Sequence, residues 1–172
     1  MDFRDIKEFI IDSLKYIGVI AIFLIIAIFV VSFQQVVGPS MSGTLEEGDV
    51  LIISKLNYKI GDPKRGEVVT LEQDEKIMVK RIIGLPGEYI EYKDNKLYID
   101  GEAYDDNFAN SKTDDFKLED IGLNKIPKDC YFVLGDNRSD SMDSRDYGCV
   151  KKENIYGKAI MRLFPFNEIK ML

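Results

Sequence analysis

The sequence predicts a mainly β protein, in which a single N-terminal transmembrane helix precedes an antiparallel β domain outside the cytoplasm. Three observations lead to this fold class. An uncharged apolar run occupies Ile17 to Phe33. Beyond Ser40, short stretches rich in β-branched residues alternate with Gly, Asn and Asp, which is the pattern of strands and tight turns. No long amphipathic helix is visible in this second part, so we expect it to be built from sheets.

The apolar run is long enough to cross a bilayer. With its flanking residues we place a transmembrane helix at 17–36, which meets the ~20 residues that a bilayer core requires. A cleavable signal peptide has a shorter apolar core that ends in an A-x-A-like site, whereas this run ends in VVSFQQVVGP. A buried globular helix is the weaker alternative, because apolar residues cover every face. We therefore expect an uncleaved membrane anchor.

The charges near the run predict its orientation. Arg4, Lys7 and Lys15 precede it, and the next basic residue is Lys55. The positive-inside rule then places the N-terminus in the cytoplasm and the rest of the chain outside. The predicted segments are a cytoplasmic amphipathic segment at 1–16, the single-pass helix at 17–36 and the extracytoplasmic β domain at 37–172.

The outer domain is predicted to consist of strands joined by tight turns. The strand candidates share β-branched or alternating apolar residues. They are Asp49–Ser54, Gly66–Leu71, Ile77–Ile83, the hairpin EYIEYKDNKLYIDGE, YFVLGDN and IYGKAIMRLF. Residues from about 89 to 126 form a variable insert, and its polar part from Asp105 to Lys125 is expected to be irregular and solvated.

Composition narrows the chemistry that the chain can perform. The chain has 172 residues, a net charge of −7 and no histidine. The acidic balance argues against a nucleic-acid partner. Without histidine, Ser-His-Asp and Cys-His catalysis and most zinc sites are excluded, and we expect neither a metal nor a cofactor. Cys130 and Cys149 could be bridged outside the cell, but two half-buried free thiols are the interpretation we favour.

Ser40 and Lys80 are the candidate nucleophile and base. Ser40 follows the apolar run within a few residues, so it should lie close to the outer face of the membrane. Lys80 lies in the apolar stretch IMVKRII and would share a strand face with Met78 and Ile82. Such a lysine can simply protect a sheet edge. Alternatively, burial lowers its pKa, and a neutral amine is the base that a serine hydroxyl needs when histidine is missing.

Four ordered motifs resemble those of type I signal peptidases, which are membrane-anchored Ser/Lys proteases that remove signal peptides from exported proteins. The motifs are GPSM with the TL that follows, RGEVV, VKRIIGLPGE and GDNRSDSMDSRDYG. The resemblance covers the anchor, Val37 to Glu88 and Pro127 to Phe166, and the short chain is similar to the compact Gram-positive form. It implies a β domain of the signal peptidase/LexA-like type. The expected partners are preproteins with signal peptides and membrane lipid, and we expect a monomer.

The resemblance assigns roles by position. Ser40 would attack the peptide bond after a small-x-small site, and Lys80 would be the general base of this acyl transfer. The turn at 135–138 would carry Ser141. The remaining roles would be orientation of the lysine amine by Ser141, a supporting ion pair between Asp143 and Arg145, and substrate-groove walls formed by Met41 and Ile82.

Two glycines depart from the pattern of many family members. Gly43 stands where many have proline, and we expect it to loosen the loop after Ser40. Gly38 stands where some members carry a hydroxyl that helps to hold the oxyanion. The oxyanion would then rely on the backbone N–H of Ser40 and a second donor that the sequence does not identify.

Other functions fit the sequence less well. A LexA-like self-cleaving protein shares the β core but needs a DNA-binding helix pair and no membrane span. Ser-His signal peptidases need a histidine, and the multi-span aspartic type does not match a single anchor. The GDNRSDSMDSR run could be a polar surface loop. A catalytically inactive, membrane-anchored binding homologue is opposed by the presence of the whole set Ser40, Lys80, Ser141, Asp143 and Arg145.

Overall fold

The structure is a computed structural model that describes residues 3–172, so Met1 and Asp2 of the predicted cytoplasmic segment lie outside the described residues. Helix α1 occupies Phe3–Val30. It ends well before the predicted boundary at residue 36, because Val31–Gln35 pairs with a second strand instead of continuing the helix. Within residues 3–172, no helix combines the length and the apolar character that a membrane crossing requires. The anchor at 17–36 therefore stays a prediction.

Strands make up most of the regular secondary structure in the domain after α1. In chain order they are β1 (Val31–Gln35), β2 (Val50–Ser54), β3 (Val68–Gln73), β4 (Lys76–Gly84), β5 (Ile90–Lys93), β6 (Lys96–Ile99), β7 (Glu102–Tyr104), β8 (Phe116–Lys117), β9 (Cys130–Leu134), β10 (Val150–Lys151), β11 (Ile155–Phe164) and β12 (Lys170–Met171). The helical elements after α1 are α2 (Asn57–Ile60), α3 (Ser144–Tyr147) and 3₁₀ turns at Leu118–Ile121, Lys152–Asn154 and Phe166–Glu168.

The strands form two antiparallel sheets. The larger sheet has the order β1-β2-β11-β3-β4-β9-β10, with β12 paired to β11. The smaller sheet has the order β7-β6-β5-β8 and comes from the predicted insert. The prediction of a mainly β antiparallel domain is confirmed, and the hairpin turns at Asp94 and Asn95, both with positive φ.

The core is divided among three apolar clusters on the two faces of the larger sheet. Strand β4 contributes to all of them, because its side chains alternate between faces. Val79 packs in the cluster that also holds Met41. Ile82 packs with Tyr131 on the other face, and Ile83 reaches the cluster formed with the smaller sheet. This central strand carries Lys80.

Candidate active site

Ser40 lies in a tight turn that follows β1. The Ser42 backbone N–H donates to the Pro39 carbonyl at 3.0 Å, and the Leu45 N–H donates to the Met41 carbonyl at 2.8 Å. Asn137 holds this turn from the loop after β9. Its backbone N–H donates to the Ser40 carbonyl at 3.1 Å, and its side-chain amide donates to the Pro39 carbonyl at 3.2 Å. The position of Ser40 is thus fixed both by its own turn and by Asn137, which lies far away in the sequence.

Lys80 is a buried amine whose neighbour is a hydroxyl. It stands opposite Val69 in the β3–β4 pair and is only 3 % exposed. Its Nζ donates to Ser141 Oγ at 3.1 Å. Burial lowers the pKa of Lys80 to about 8, since an ammonium loses hydration there, while the carboxylate of Asp143 acts in the opposite direction. With this pKa, about a tenth of the lysine is neutral at pH 7 and about half at pH 8.

The carboxylate of Asp143 is occupied by Arg145. The Arg145 Nε donates to Asp143 Oδ1 at 2.9 Å, and Nη2 donates to Oδ2 at 2.9 Å. The Gly135 backbone N–H also donates to Oδ2, at 3.1 Å. Because this fork satisfies both oxygens, the carboxylate has little capacity left to stabilise an ammonium at Lys80. The structure thus brings Ser141, Asp143 and Arg145 together around Lys80, although their catalytic roles stay predictions.

Ser40 and Lys80 line the same cavity, which has a volume of about 510 Å³. In the described part of the chain, no hydrogen bond joins Ser40 Oγ to Lys80 Nζ, since the amine donates to Ser141. Catalytic hydrogen bonds are often long before substrate binds and tighten afterwards. The wall of the cavity also includes three exposed apolar side chains, Val37, Ile77 and Met142, and the polar side chains of Gln35, Lys76 and Asp140.

The expected groove walls, Met41 and Ile82, lie elsewhere. Both are fully buried, and neither lines the cavity that holds Ser40. Met41 packs into the core below the Ser40 turn, whereas Ile82 packs in a separate core cluster with Tyr131 and Val133. Strand alternation could not separate a groove wall from core, because both require apolar residues. Met142, which is 68 % exposed, was missed since it belongs to an otherwise polar run.

Gly43 adopts a backbone conformation that suits glycine, and the expectation that it loosens the loop after Ser40 stays a prediction. Its φ is +91°, which proline cannot adopt. Its N–H donates to Glu46 Oε1 at 2.8 Å, and a Cβ at this position would lie 2.5 Å from the Asn110 side chain. Gly38 also has a positive φ, +78°. A hydroxyl-bearing residue there would need a strained backbone.

The insert braces the site, although its polar part was expected to be solvated. Asp106 forms a buried ion pair with Arg138, and Arg138 Nη1 also donates to the Tyr92 hydroxyl at 3.0 Å. The Asn110 backbone N–H donates to the Asp136 carbonyl at 2.8 Å. These contacts fix the turn that leads to the Ser141 segment. The sequence carries no local signal for them, because the partners are far apart in the chain.

Arg81, the neighbour of Lys80, faces the other side of β4. Its guanidinium binds both oxygens of Asp136, at 2.8 and 2.5 Å, and lies 4.3 Å from the centre of the Phe108 ring.

Among residues 3–172, acidic and cysteine side chains form no cluster that could hold a metal ion, and the expectation of a metal-free site stays a prediction.

Comparison with known proteins gives a consistent result. Residues 10–164 match the family described as "Signal peptidase, peptidase S26". A "Signal peptidase I" of Bacillus caldolyticus is 41% identical over an alignment of 152 residues, which covers 82% of this chain and 84% of that protein. "Signal peptidase I V" of Bacillus subtilis (strain 168) is 38% identical over an alignment of 153 residues, which covers 81% of this chain and 91% of that protein.

A solved structure is also similar. The crystal structure of a signal peptidase I from Enterococcus faecalis V583 is 35% identical in sequence and superposes with a TM-score of 0.52. The match covers 57% of this chain and 97% of that chain. The antiparallel β architecture is therefore shared with a solved protein of this group.

Proposed function

Since this chain belongs to the signal peptidase family, peptidase S26, we propose that Ser40 and Lys80 form its catalytic dyad. The protein is a serine endopeptidase that removes signal peptides from preproteins. One observation carries the assignment of the dyad: the buried Lys80 amine, with its pKa lowered to about 8, lines the same cavity as Ser40.

The proposed reaction is an acyl transfer. Neutral Lys80 takes the proton of the Ser40 hydroxyl while Oγ attacks the substrate carbonyl, and the resulting ammonium protonates the leaving amine. The acyl-enzyme is then hydrolysed by a water from which Lys80 removes a proton. Ser141 orients the amine through the 3.1 Å hydrogen bond. Arg145 supports the neutral state of the lysine, because it occupies the carboxylate of Asp143.

The substrate would bind as an added strand along β4. This strand pairs with β3 from Lys76 to Arg81, but its pairing with β9 begins only at Arg81. Over Lys76 to Lys80, the second edge of β4 therefore has no strand partner among the described residues. An extended peptide can hydrogen-bond to such an edge. The apolar walls of the cavity would accept the small residues of a small-x-small site, which signal peptides carry at their cleavage point.

We also propose that the chain is anchored in the cell membrane, with its N-terminus in the cytoplasm. The support comes from α1, where large apolar side chains such as Ile17, Phe23 and Phe29 are exposed. No basic residue follows them before Lys55. The anchor would hold Ser40 where a preprotein's cleavage site leaves the bilayer, which raises the effective concentration of substrate.

Cleavage by the purified full chain in detergent tests the dyad. The wild type should cut a preprotein after its A-x-A site, and Ser40→Ala should abolish cutting. Ser42→Ala is the matched control, because Ser42 Oγ bonds Glu46 at 3.0 Å in the same turn and has no proposed catalytic role. Mass spectrometry after a β-lactam-type acylating inhibitor should place the adduct on Ser40. Full cleavage by Ser40→Ala would eliminate the dyad.

The anchor needs a separate test in cells. The full chain should stay in the membrane fraction after an alkaline carbonate wash, and protease added outside should digest the β domain. Release of the intact chain by carbonate would overturn the anchor but leave the dyad untouched.

The family match does not favour a LexA-like self-cleaving protein or an inactive binding homologue.

A further inference from the structure

A second cavity adjoins the one that holds Ser40. It has a volume of about 470 Å³, and Ile77 lines both cavities. Along β1, residues 32–34 line the second cavity, whereas Gln35 and residues 37–40 line the first. Along β4, Ile77 lines both and Lys80 lines the first alone. A peptide added along β4 with one end at Ser40 would therefore reach the second cavity with its other part.

The part of the substrate that precedes the cleaved bond would occupy the second cavity. The Lys55 backbone N–H donates to the Val30 carbonyl at 2.9 Å, and Lys55 lines this cavity. The second cavity thus lies beside the end of α1, the proposed anchor. The apolar segment of a signal peptide precedes its cleavage site, so it would remain in the bilayer on this side.

The spacing along β4 indicates which substrate residues would enter. Ile77 precedes Lys80 by three residues, which is about 10 Å at ~3.3 Å per residue in a strand. A substrate strand beside β4 has the same rise per residue. The second cavity begins at this distance from the catalytic lysine, so it would hold residues about four to six before the cleaved bond.

Two lysines make the second cavity positively charged. Lys55 and Lys59 are the only charged side chains among the described residues that line it. Lys55 is half-buried and Lys59 is exposed, and neither amine forms an ion pair with a residue from 3 to 172. Glu72 lies opposite Ile77 in the β3–β4 pair, but it does not line the cavity, and its carboxylate accepts a hydrogen bond from the Tyr156 hydroxyl.

We propose that Lys55 and Lys59 select preproteins by charge, favouring an acidic over a basic side chain about four to six residues before the cleaved bond. The proposal rests on the proposed function, because the dyad places the cleaved bond at Ser40. An acidic side chain would be attracted by the two amines and a basic one repelled. These contacts form in bound substrate and transition state alike, so they should change KM and leave kcat unaltered.

Three matched peptides test the selection. Each carries an A-x-A site, and they differ only in having Glu, Gln or Lys at the fourth, fifth or sixth residue before the cleaved bond. The purified full chain in an uncharged detergent should cleave the Glu peptide with a kcat/KM about 3–10-fold above that of the Lys peptide at one or more positions, with Gln between them. Added salt should reduce this ratio.

Charge variants connect the preference to the two lysines. Lys55→Gln/Lys59→Gln should bring the three KM values together, and Lys55→Glu/Lys59→Glu should reverse their order. Lys151→Gln/Lys152→Gln is the matched control, which loses the same formal charge. Lys151 and Lys152 do not line the second cavity, and they pair with Glu153 and Asp62, so the control should keep the wild-type preference. Equal KM values in the wild type at all three positions, or a preference kept by Lys55→Gln/Lys59→Gln, would overturn the proposal.

Binding without cleavage separates this proposal from the dyad. Fluorescently labelled forms of the three peptides should bind Ser40→Ala in the same order of affinity, measured by fluorescence anisotropy, because Ser40 does not line the second cavity. If the wild type cuts none of the peptides and Ser40→Ala still binds them in this order, the dyad fails and the charge selection stands. If cleavage requires Ser40 but ignores the charge, the dyad stands and the charge selection fails.

Discussion

The two faces of β4 treat a basic residue in opposite ways. Lys80 and Arg81 are adjacent and nearly equally buried, at 3 % and 7 % exposure. Arg81 meets a carboxylate, because Asp136 accepts from its Nε and Nη2. Lys80 meets a hydroxyl, Ser141, and the nearby carboxylate of Asp143 is bound by Arg145. On one face a carboxylate neutralises the buried charge of Arg81. On the other face, burial without a free carboxylate favours the neutral amine of Lys80.

This difference separates a structural from a chemical use of burial. A buried ion pair keeps both groups ionised and links two parts of the fold, here β4 and the turn after β9. A buried amine without a free carboxylate loses part of its affinity for a proton and becomes a base near neutral pH. The contrast predicts that matched changes on the two faces have different consequences.

The largest effect is expected when each residue is replaced by methionine. Lys80→Met should lower cleavage by at least about 10³-fold, since the base is lost, while the chain still folds. Arg81→Met should instead destabilise the fold by about 3–5 kcal/mol, since Asp136 keeps a buried charge without its partner. Chemical denaturation measures the stability of both variants, and a cleavage assay measures their activity. Near-normal cleavage by folded Lys80→Met would break the comparison.

The stability of Lys80→Met should depend on pH relative to the wild type. The pKa of Lys80 is about 8 in the folded chain and about 10.4 in an unfolded chain. Between these values the unfolded wild type binds more protons, so its free energy of unfolding rises with pH. The free energy of unfolding of Lys80→Met should therefore exceed that of the wild type most below pH about 8. This difference should shrink by on the order of 3 kcal/mol as the pH rises to about 10.4. An advantage that stays constant across this range would show that Lys80 titrates normally.

A smaller effect is expected from Ser141→Ala, which removes the hydroxyl that orients the amine. The turnover rate should fall about 10–100-fold with little change in KM, because positioning acts in the transition state. Ser139→Ala is a matched control in the same segment, since Ser139 Oγ bonds Asn137 Oδ1 at 3.2 Å and not the lysine. Equal losses in both variants would indicate a general disturbance of the segment.

The smallest effect is expected from Arg145→Met, which frees the carboxylate of Asp143 to attract a proton to Lys80. The pKa of Lys80 should rise, so the alkaline-rising limb of the pH–rate profile should move to higher pH. A shift of one pKa unit costs about tenfold in rate at pH 7, and the rate should recover at high pH. Arg145→Lys, which keeps the charge, should shift the profile less. A loss of rate that is the same at every pH would assign Arg145 a purely structural role.

The sequence predicted the parts of this arrangement that depend on local pattern. The β-branched stretches located the strands. The stretch IMVKRII left open whether its lysine protects a sheet edge or is buried, and the structure buries it. Groove and core both select apolar residues, so Met41 and Ile82 were placed in the groove although they lie in the core. The brace between Asp106 and Arg138 depends on a contact across the fold and leaves no local trace. The end of α1 at Val30 depends likewise on pairing with β2.

The central claim is that the pKa of Lys80 is lowered to about 8, so that a usable fraction of the amine is neutral near physiological pH, and its titration tests this most directly. NMR spectra of the full chain with isotope-labelled lysine, recorded in detergent against pH, should contain one lysine with a midpoint near pH 8, and this signal should be missing from Lys80→Met. The Ser40→Ala background avoids self-digestion during the titration. A midpoint for Lys80 near the ordinary value of about 10.4 would contradict the account, because the neutral fraction of the amine at pH 7 would then be lower by a factor of roughly 250.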